Sequence, residues 1–381
     1  MAKKILIIFP SPYVGGCEKF GCKLAEYFAK NDFEVVVAVP DKEEFNKLIS
    51  NLKHKSILVI KADCHDNVGG KITRIRRAIK IFIITLLMLK RLSPDLVVVN
   101  KPSPRAGLAS VLATALLRKP SISIFQLIHQ NHSLPKWLVI ASNWAKKRHQ
   151  EWVAVSDDNR QLISNLYGFQ KFDIKLIYNG VKESKIEDST HYRKVLLEEL
   201  GLAQDSTILL TVAALTYQKG HDVLLKAFST IAQDFPDANL VWAGKGTSRS
   251  DLENMINSFK LQGRVHLLGQ KTNVLELLSA ADMFVLPTRF EGFPFALLEA
   301  MMVGKPIIAT NVSSIPELIN DDIHGVLCKP NDVASLTTAL RYSLTNSDHM
   351  KAMAFAAKCR GQGFTEDKML KKYLSLVNSI I

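Results

Sequence analysis

Short apolar runs alternate with helical segments along most of the chain, and this alternation limits the fold more than any other feature. The run KKILIIF is followed by a glycine-containing loop, by the helical pattern CEKFGCKLAEYFAK and then by FEVVVAVP, which is a strand–loop–helix–strand unit. Near-continuous apolar strands separated by helices are typical of a parallel sheet covered on both faces. The sequence therefore predicts doubly wound α/β architecture that begins with the first strand, not with a cleavable leader.

The same alternation occurs twice. It continues through SILVI, the helical stretch 71–92, DLVVVN, SISIFQLIH and WVAVS, and it restarts after KESKIEDSTHYR with STILLTVAA, NLVWAG, RVHLLG, DMFVLP, PIIAT and HGVLC. A chain of 381 residues also exceeds one ordinary core. We predict Rossmann-like domains at 1–183 and 184–362 that face each other across a cleft, with a C-terminal helix, 363–381, packing back on the first. Binding residues are expected in loops that follow the strands.

Positive charge is concentrated in the first half of the chain. Met1–Glu183 contains 29 Lys and Arg against 15 Asp and Glu, and the remainder contains 20 against 21. Within Lys71–Arg148 there are fifteen basic residues and a single acidic one, Asp95. Such a stretch predicts an anionic partner.

Two segments of this basic stretch bear on the partner. The apolar run Ile81–Leu89 has nine residues, far below the ~20 that span a bilayer, and is predicted to pack on the sheet. Trp137 and Trp144 lie one heptad apart beside Lys146 and Arg148, as in a helix at a membrane interface. A buried amphipathic helix is the alternative. Because no nucleic-acid module is recognisable, we expect an anionic membrane surface and no nucleic acid.

The cysteines indicate the compartment. The five cysteines show no Cys-x-x-Cys pair and no zinc-type spacing, which predicts a reduced, metal-free chain. We expect a cytoplasmic protein, peripheral on the inner face of the cell membrane.

Three glycine-containing loops are candidate binding loops. Gly15 and Gly16 open a helix after the first strand, where free N–H groups attract phosphate; a tight turn that needs positive φ is the alternative. The pattern is not Gly-x-Gly-x-x-Gly, which disfavours a dinucleotide. Lys219 lies at another strand-to-helix junction, where it would neutralise a diphosphate or lie in solvent. Gly244 and Lys245, in AGKG, follow a third strand.

The segment EGFPFALLEA contains two carboxylates, Glu291 and Glu299, eight positions apart. Pro294 fits the first position of a helix that Gly304 ends, so Glu291 is predicted on the loop and Glu299 on the helix. The two would grip different parts of one elongated ligand. Alternatively, they are a capping acid and a solvated acid.

His129 ends another predicted strand, SIFQLIH, and His132 follows three residues later. A metal pair would lack a third ligand, so we expect hydrogen bonding near a substrate.

The segment PTRFEGFPFALLEAMMVGKPIIATNVSSIPELI resembles the most specific signature of the retaining glycosyltransferases of family 4, whose E-x7-E motif matches Glu291 and Glu299. GGCE, RLSPDLVVVN, LIHQN, VAVSDDNRQLI, IYNGV, AGKGTSRSDLE and RVHLLGQ resemble further segments of that family. The resemblance spans almost the whole chain and implies a GT-B fold.

The resemblance also implies an acceptor-binding first domain and a second domain that binds a nucleotide-sugar, with no cofactor. Glu299 would bind ribose hydroxyls, Glu291 and the neighbouring backbone N–H groups the donor sugar and phosphate, and Lys219 the departing diphosphate. The implied catalytic residues are Glu291, Lys219 and His129. The donor-binding set is Gly15, Gly16, Gly244, Lys245, Leu268, Gly269, Arg289, Gly292, Phe293, Phe295 and Glu299.

One position departs from the family pattern. Ala214 stands where G-R-L-x-x-x-K-G has arginine, so Arg289, Lys245 or Arg249 would replace that cation, or the leaving group is less stabilised. The absence of an obvious Asp-x-Asp fits metal-independent transfer to a glycolipid, lipopolysaccharide core or polysaccharide precursor. A GT-B protein that binds a nucleotide-sugar without turnover is the alternative.

Overall fold

The structure is a computed structural model that describes residues 2–65, 71–183 and 189–381. The chain divides into two compact units, Met1–Tyr178 with Asp367–Ile381, and Asn179–Glu366. The boundary predicted between residues 183 and 184 adjoins residues 184–188, which lie outside the described residues, and it stays a prediction.

The first unit is built on a seven-stranded parallel sheet. Its strands are β1 (Lys4–Ile8), β2 (Glu34–Val39), β3 (Leu58–Lys61), β4 (Leu96–Lys101), β5 (Ser121–Phe125), β6 (Gln150–Ala154) and β7 (Lys175–Leu176). Their order in the sheet is β3-β2-β1-β4-β5-β6-β7. The helices between them are α1 (Gly16–Lys30), α2 (Asn46–His54), α3 (Lys71–Leu92), α4 (Leu108–Leu116), α5 (Lys136–Lys146) and α6 (Asp157–Tyr167).

Apolar side chains on both faces hold this sheet in the core. Ile5, Leu6, Ile7 and Ile8 of β1 are fully buried, so both faces are covered, as a parallel sheet requires. Gly21 of α1 lets the helix approach the sheet, since a Cβ there would lie 2.3 Å from the ring of Phe9.

The second unit contains a six-stranded parallel sheet. Its strands are β8 (Thr207–Val212), β9 (Ala238–Ala243), β10 (Val265–Gly269), β11 (Met283–Leu286), β12 (Ile307–Thr310) and β13 (Val326–Cys328), in the order β10-β9-β8-β11-β12-β13. Its helices are α7 (Ser189–Leu200), α8 (His221–Ser229), α9 (Arg249–Ser258), α10 (Val274–Ala280), α11 (Phe295–Val303), α12 (Ile315–Leu318), α13 (Val333–Thr345) and α14 (Ser347–Gly361).

The last helix, α15 (Glu366–Ile380), returns to the first unit. The ring of Tyr373 packs edge-on against that of Phe20 on α1, with ring centroids 5.6 Å apart. Both side chains are almost completely buried, so α15 completes the core of that unit.

Two parallel, doubly wound Rossmann-like units confirm the fold class that the sequence predicts. Two details differ. The two-residue β7 was not predicted, and β5 ends at Phe125, so His129 lies four residues beyond the strand instead of at its end. The apolar run FQLIH thus continues into a loop, where Ile128 is buried without pairing in the sheet.

Candidate functional site

The strand order reverses between β8 and β11 in the second unit. These strands are neighbours in the sheet, but β8 leads on to β9 on one side and β11 to β12 on the other. The loops that leave two such strands diverge and form a crevice at their carboxyl ends, where open α/β sheets bind ligands. Lys219 follows β8 and Glu291 follows β11.

A short 3₁₀ turn, Tyr217–Lys219, positions Lys219 after β8. Gly220 then adopts a left-handed conformation with φ of 67° and caps α8. A Cβ on Gly220 would lie 2.0 Å from the carbonyl oxygen of Pro287, so both the backbone conformation and the close approach require glycine. The turn is thereby pressed against the loop after β11.

Hydrogen bonds join the two loops. The backbone N–H of Arg289 and the hydroxyl of Thr288 both donate to the carbonyl of Gln218, at 2.7 and 2.9 Å. The side-chain amide of Gln218 in turn donates to the carbonyl of Phe290, at 2.8 Å. These bonds fix the position of Lys219 relative to Glu291.

Lys219 and Glu291 form an ion pair at the centre of this arrangement. Lys219 Nζ lies 2.5 Å from Glu291 Oε1, with side-chain exposures of 19% and 6%. A pair so far from solvent is poorly screened, and removing either partner would leave a buried charge. The predicted site residues Lys219 and Glu291 are thus in direct contact.

Arg289 is occupied by protein groups. Its guanidinium binds both carboxylate oxygens of Asp222, at 2.9 and 2.7 Å, and also donates to the carbonyl of Tyr217 and to Asn331 Oδ1. It also stacks on the Tyr217 ring, 4.0 Å from the centroid. These contacts use four of the five guanidinium N–H groups. Arg289 therefore holds the 3₁₀ turn Tyr217–Lys219, the lysine turn, in position.

The charge of Arg289 alters the titration of its partner. Burial raises the pKa of Asp222, but the hydrogen bonds and positive charge of Arg289 outweigh burial and hold that pKa below its usual value. Asp222 therefore stays ionised throughout the neutral range, and its ion pair with Arg289, the Arg289 clamp, stays intact.

The loops around Ala214 pack backbone against backbone. A Cβ on Gly244 would lie 1.8 Å from the carbonyl oxygen of Ala213, and one on Gly246 would lie 2.1 Å from that of Leu215. The glycines of AGKG thus permit close approach to the chain's own backbone.

Of the other candidate cations near Ala214, Arg249 pairs with Glu253, while Lys245 is exposed and forms no ion pair among the described residues. Lys245 is therefore the candidate that remains uncommitted.

Helix α11 begins just beyond Glu291. Pro294 is its N-cap and Phe295 its first residue, one position later than predicted, and Gly304 ends it with φ of 80°. The first N–H groups of a helix have no acceptor within the helix and attract anions. Glu299, half-buried, follows one turn after the helix begins.

Phe293 has a packing role. Its side chain is 3% exposed and its ring packs at a tilt of 55° against that of Phe364, with ring centroids 5.4 Å apart; its carbonyl accepts a hydrogen bond from Asn179 Nδ2. These contacts fix the loop on which Gly292 lies, while Leu268 and Gly269 end β10 at the same edge of the sheet, partly exposed.

In the first unit, Gly15 caps α1 and Gly16 begins it. Gly15 has φ of −138°, and neither glycine has positive φ, so the tight-turn explanation is wrong. Glu18 accepts a hydrogen bond from Gly15 N–H at 2.8 Å, and burial raises the pKa of this carboxyl.

His129 is held within its loop. Its backbone N–H donates to His132 Nδ1 at 2.8 Å, and its own Nδ1 accepts from the backbone N–H of Asn131 at 3.0 Å. Burial, with the nearby His129 and Arg105, lowers the pKa of His132. In the described part of the chain, no three His, Cys, Asp or Glu side chains converge as metal ligands would, and metal-independent chemistry stays a prediction.

Sequence reasoning missed Asp222, Gln218 and Thr288, which lock the lysine turn. The sequence offers a signal only for Asp222, an acid in the first turn of α8, and a solvated helix acid would give the same signal.

Two doubly wound units, with a lysine–glutamate pair where strand order reverses in the second, agree with the GT-B glycosyltransferase class that the family resemblance implies. Comparison with known families agrees: residues 193–360 match the family described as "Glycosyl transferases group 1", and residues 14–185 match "Glycosyltransferase Family 4". Together the two models match most of the chain, so the chain belongs to the GT-B glycosyltransferases of the family 4 and group 1 type, which confirms the resemblance to family 4.

Among curated relatives, an Escherichia coli UDP-Gal:alpha-D-GlcNAc-diphosphoundecaprenol alpha-1,3-galactosyltransferase is 31% identical over 209 residues, 54% of this chain and 53% of that protein. For the first four relatives the matched part spans 48% to 66% of their length.

Solved structures share the fold. Anabaena HepE with UDP-glucose has a TM-score of 0.82 at 20% identity, with 99% of each chain covered. WaaG, a glycosyltransferase involved in lipopolysaccharide biosynthesis, has a TM-score of 0.75 at 17% identity, with 98% of this chain and 99% of WaaG covered.

Proposed function

We propose that the chain transfers a hexose from a nucleotide-diphosphate sugar, UDP- or GDP-linked, to a glycolipid, lipopolysaccharide core or polysaccharide precursor, with retention of configuration. Support for the donor comes from HepE, which was crystallised with UDP-glucose. Support for the acceptor comes from the galactosyltransferase relative, which is named for its action on a diphosphoundecaprenol-linked sugar, and from WaaG, which is involved in lipopolysaccharide biosynthesis.

The buried Lys219–Glu291 pair, at the reversal of strand order and beside the start of α11, is the observation that carries this proposal. A nucleoside diphosphate gains negative charge as it leaves the sugar. A lysine held in a poorly hydrated crevice stabilises that charge far more than one in water.

Each residue has a distinct role in this proposal. Lys219 binds the diphosphate, and the first N–H groups of α11, near Gly292 and Phe295, neutralise its oxygens. Glu291 orients Lys219 in the free enzyme and contacts the donor sugar in the complex, and Glu299 accepts hydrogen bonds from the ribose hydroxyls. Lys245 replaces the cation missing at Ala214.

The first unit is proposed to bind the acceptor, with His129, Gly15 and Gly16 as its candidate site residues. The excess of basic residues in Lys71–Arg148 would hold the enzyme on the anionic inner face of the cell membrane.

Ala214 favours a second candidate, a nucleotide-sugar-binding protein without turnover, because one diphosphate cation of the family pattern is absent. A donor screen by calorimetry, combined with an assay for released nucleoside diphosphate, separates the two. The enzyme releases nucleoside diphosphate when acceptor is present; the binding protein binds donor and releases no nucleoside diphosphate.

The same screen tests the site. Glu299→Gln should weaken donor affinity at least about tenfold, since a charged acceptor of two hydroxyl hydrogen bonds is lost. Glu198→Gln, at an exposed helix position, is the matched control. Unchanged donor affinity in Glu299→Gln would remove Glu299 from the site.

A further inference from the structure

The outer face of α3 presents a row of aliphatic side chains to solvent. Ile72, Ile75, Ile79, Ile83 and Leu87 are 70%, 58%, 56%, 50% and 62% exposed. Spacings of three and four residues place all five on one side of the helix. Soluble proteins usually scatter such residues singly, so this row, the α3 stripe, indicates a surface that contacts another molecule.

The opposite side of α3 already supplies the core. Ile81, Met88 and Leu89 are buried, the last two in a cluster with residues of β1, β2 and β4. The prediction that this apolar run packs on the sheet is therefore correct for one face but misses the other. A helix that is apolar on two sides needs a second apolar environment.

Charge indicates the nature of that environment. Helix α3 contains seven basic residues and no acidic one. Arg76, Lys80, Lys90 and Arg91 are exposed, and none of them forms an ion pair with a described residue. Arg76 and Lys80 each follow an isoleucine of the α3 stripe by one position, which places them along its edge. Apolar side chains bordered by uncompensated cations complement the surface of an anionic leaflet.

A groove adjoins the end of the stripe. It has a volume of about 430 Å³ and lies between α3 and the edge strand β3. Leu58, Ile60 and Leu87 line it together with Arg91 and with Lys61, whose ammonium pairs with Asp41 at 2.7 Å. Apolar walls beside the guanidinium of Arg91 suit an acyl chain that ends in a phosphate, so the groove extends the same lipid-facing chemistry.

We propose that the outer face of α3, from Ile72 to Arg91, is a membrane-docking surface that lies flat on a leaflet of anionic phospholipids. This inference deepens the proposed membrane association and rests on it. The helix has 22 residues and is about 33 Å long, and none of the helices in the described ranges is long and apolar enough to cross a bilayer. In the plane of the leaflet, the isoleucines reach the acyl boundary and the cations meet the phosphates.

Helix α5, predicted from its tryptophans, has a smaller apolar surface. Trp137 and Ile140 are 64% and 68% exposed, whereas Trp144 is 36% exposed and lies against the guanidinium of Arg148. The buried-helix alternative is thus wrong for Trp137 and Ile140. We assign α5 a secondary contact and α3 the principal one.

The test is co-sedimentation of the full chain with phosphatidylcholine vesicles that contain or lack phosphatidylglycerol. The wild type should bind only the anionic vesicles. Ile75→Ser/Ile79→Ser/Ile83→Ser should lower the partition coefficient at least about tenfold. Arg76→Gln/Lys80→Gln should lower it about tenfold at low salt and less at high salt.

Matched variants change similar side chains elsewhere. Phe172→Ser/Phe355→Ser removes two aromatics more than 70% exposed, and Lys329→Gln/Lys372→Gln removes two exposed cations; both should bind vesicles as the wild type does. Trp137→Ser/Ile140→Ser should lose less binding than the α3 triple variant.

Three results would overturn the proposal: no wild-type binding to anionic vesicles, undiminished binding by the α3 triple variant, or an equal loss in the α5 variant. Sedimentation velocity without lipid adds a fourth: a dimeric wild type and a monomeric triple variant would identify the α3 stripe as a self-association surface.

UDP affinity is measured in parallel. If it is absent while vesicle binding holds, the proposed function fails and the docking surface stands.

Discussion

The two units share one sheet topology but place different chemistry where the strand order reverses. In the second unit, the loops after β8 and β11 and the first turn of α8 carry two buried or half-buried ion pairs, Lys219–Glu291 and Arg289–Asp222. In the first unit, the corresponding point lies between β1 and β4. There, Asn100 donates to the carbonyl of Cys17 at 2.6 Å and accepts from Gln126 at 3.0 Å.

This difference separates the role of topology from that of side chains. Topology sets where loops diverge, and so where a ligand fits. The side chains set what that ligand is. In the second unit they are paired charges, to which a diphosphate can bind; in the first unit they are amides bonded to protein groups, with the buried side chains of Glu18 and Lys101 beside them. Overall charge misleads here, because the half with 20 basic and 21 acidic residues holds the cationic lysine, while the basic half carries its excess elsewhere, including α3.

Replacing Lys219 should reduce activity more than any other single substitution, because Lys219 is the cation of the second unit's central ion pair. Lys219→Ala should lower kcat by about 10²–10³-fold, the usual cost of removing one group that stabilises developing negative charge. It should also destabilise the fold by about 1–3 kcal/mol, because Glu291 is left buried without its partner. Steady-state kinetics with a nucleotide-sugar and urea unfolding measure the two effects.

A second substitution separates catalysis from stability. In Lys219→Ala/Glu291→Gln the buried charge is gone, so stability should recover while activity does not. Lys329→Ala, at an exposed lysine, should match the wild type in both. Near-normal turnover in Lys219→Ala would mean that the second unit's ion pair is structural, like the amides of the first.

His221 should make the second unit sensitive to mild acid. Its side chain is 1% exposed and packs edge-on against Trp242, and burial, with the charge of Lys219, lowers its pKa to about 3. Between the unfolded value near ~6.5 and about 3, only the unfolded state takes up the proton, so stability falls as pH falls, by roughly 1.4 kcal/mol per unit. His221→Leu lacks this loss. As pH is lowered from 7 to 5, its free energy of unfolding should therefore rise by about 2 kcal/mol relative to that of the wild type.

Amide exchange of the β8 and β9 peptides under EX2 conditions reports this gain within the second unit. Other titrating groups are common to both chains and cancel. His54→Leu, at an exposed histidine of α2, should leave the β8 and β9 peptides unchanged at both pH values. A pH-independent difference between His221→Leu and the wild type would show that His221 protonates in the folded state.

The Arg289 clamp should affect turnover more than donor affinity. Arg289→Lys keeps the charge but loses the planar fork that holds Asp222, so Lys219 should be less well positioned and kcat should fall about tenfold, with a smaller change in Kd for the donor. Asp222→Asn should behave alike, and the double variant should add little. Arg341→Lys, which alters an exposed ion pair with Asp234, is the control. Additive losses of kcat in the double-mutant cycle of Arg289→Lys and Asp222→Asn would show that the two residues do not act together.

Much of this arrangement was predictable from local sequence. The order of strands and helices follows from apolar runs and their spacing, and Gly304 as the end of α11 follows from the chain's need for a left-handed residue there. Lys219 and Glu291 were each candidates because each follows a strand, and the family resemblance then placed both in the site.

Contacts distant in sequence were not predictable. Lys219 and Glu291 are 72 positions apart, and no local pattern reports that they pair, nor that Arg289 is committed to Asp222. Gly244 was expected to admit a ligand, and its nearest neighbour is the Ala213 carbonyl. The α3 stripe escaped for a similar reason: spacing shows which residues share a face, but only the packed structure shows which face the sheet covers.

Glu18 should give the smallest effect, and it is opposite in sign to that of His221. Its carboxyl is 2% exposed and accepts a hydrogen bond from Gly15 N–H; burial raises its pKa, although this hydrogen bond and others from Ser11 and Cys17 act in the opposite direction. A raised carboxyl pKa means that the folded state binds the proton more tightly, so Glu18 lowers stability as pH rises through that pKa and the loss is relieved in acid. Glu18→Gln keeps an acceptor for Gly15 without the charge, so the free energy of unfolding of the first unit should rise by up to about 1 kcal/mol at pH 8 and by less at pH 5.

Amide exchange of the β1 and β4 peptides measures this gain, with Glu26→Gln on the same helix as control. A loss of stability at pH 8 would mean that the ionised carboxylate is needed to cap α1, and the first unit's switch point would then depend on a buried charge as the second one does.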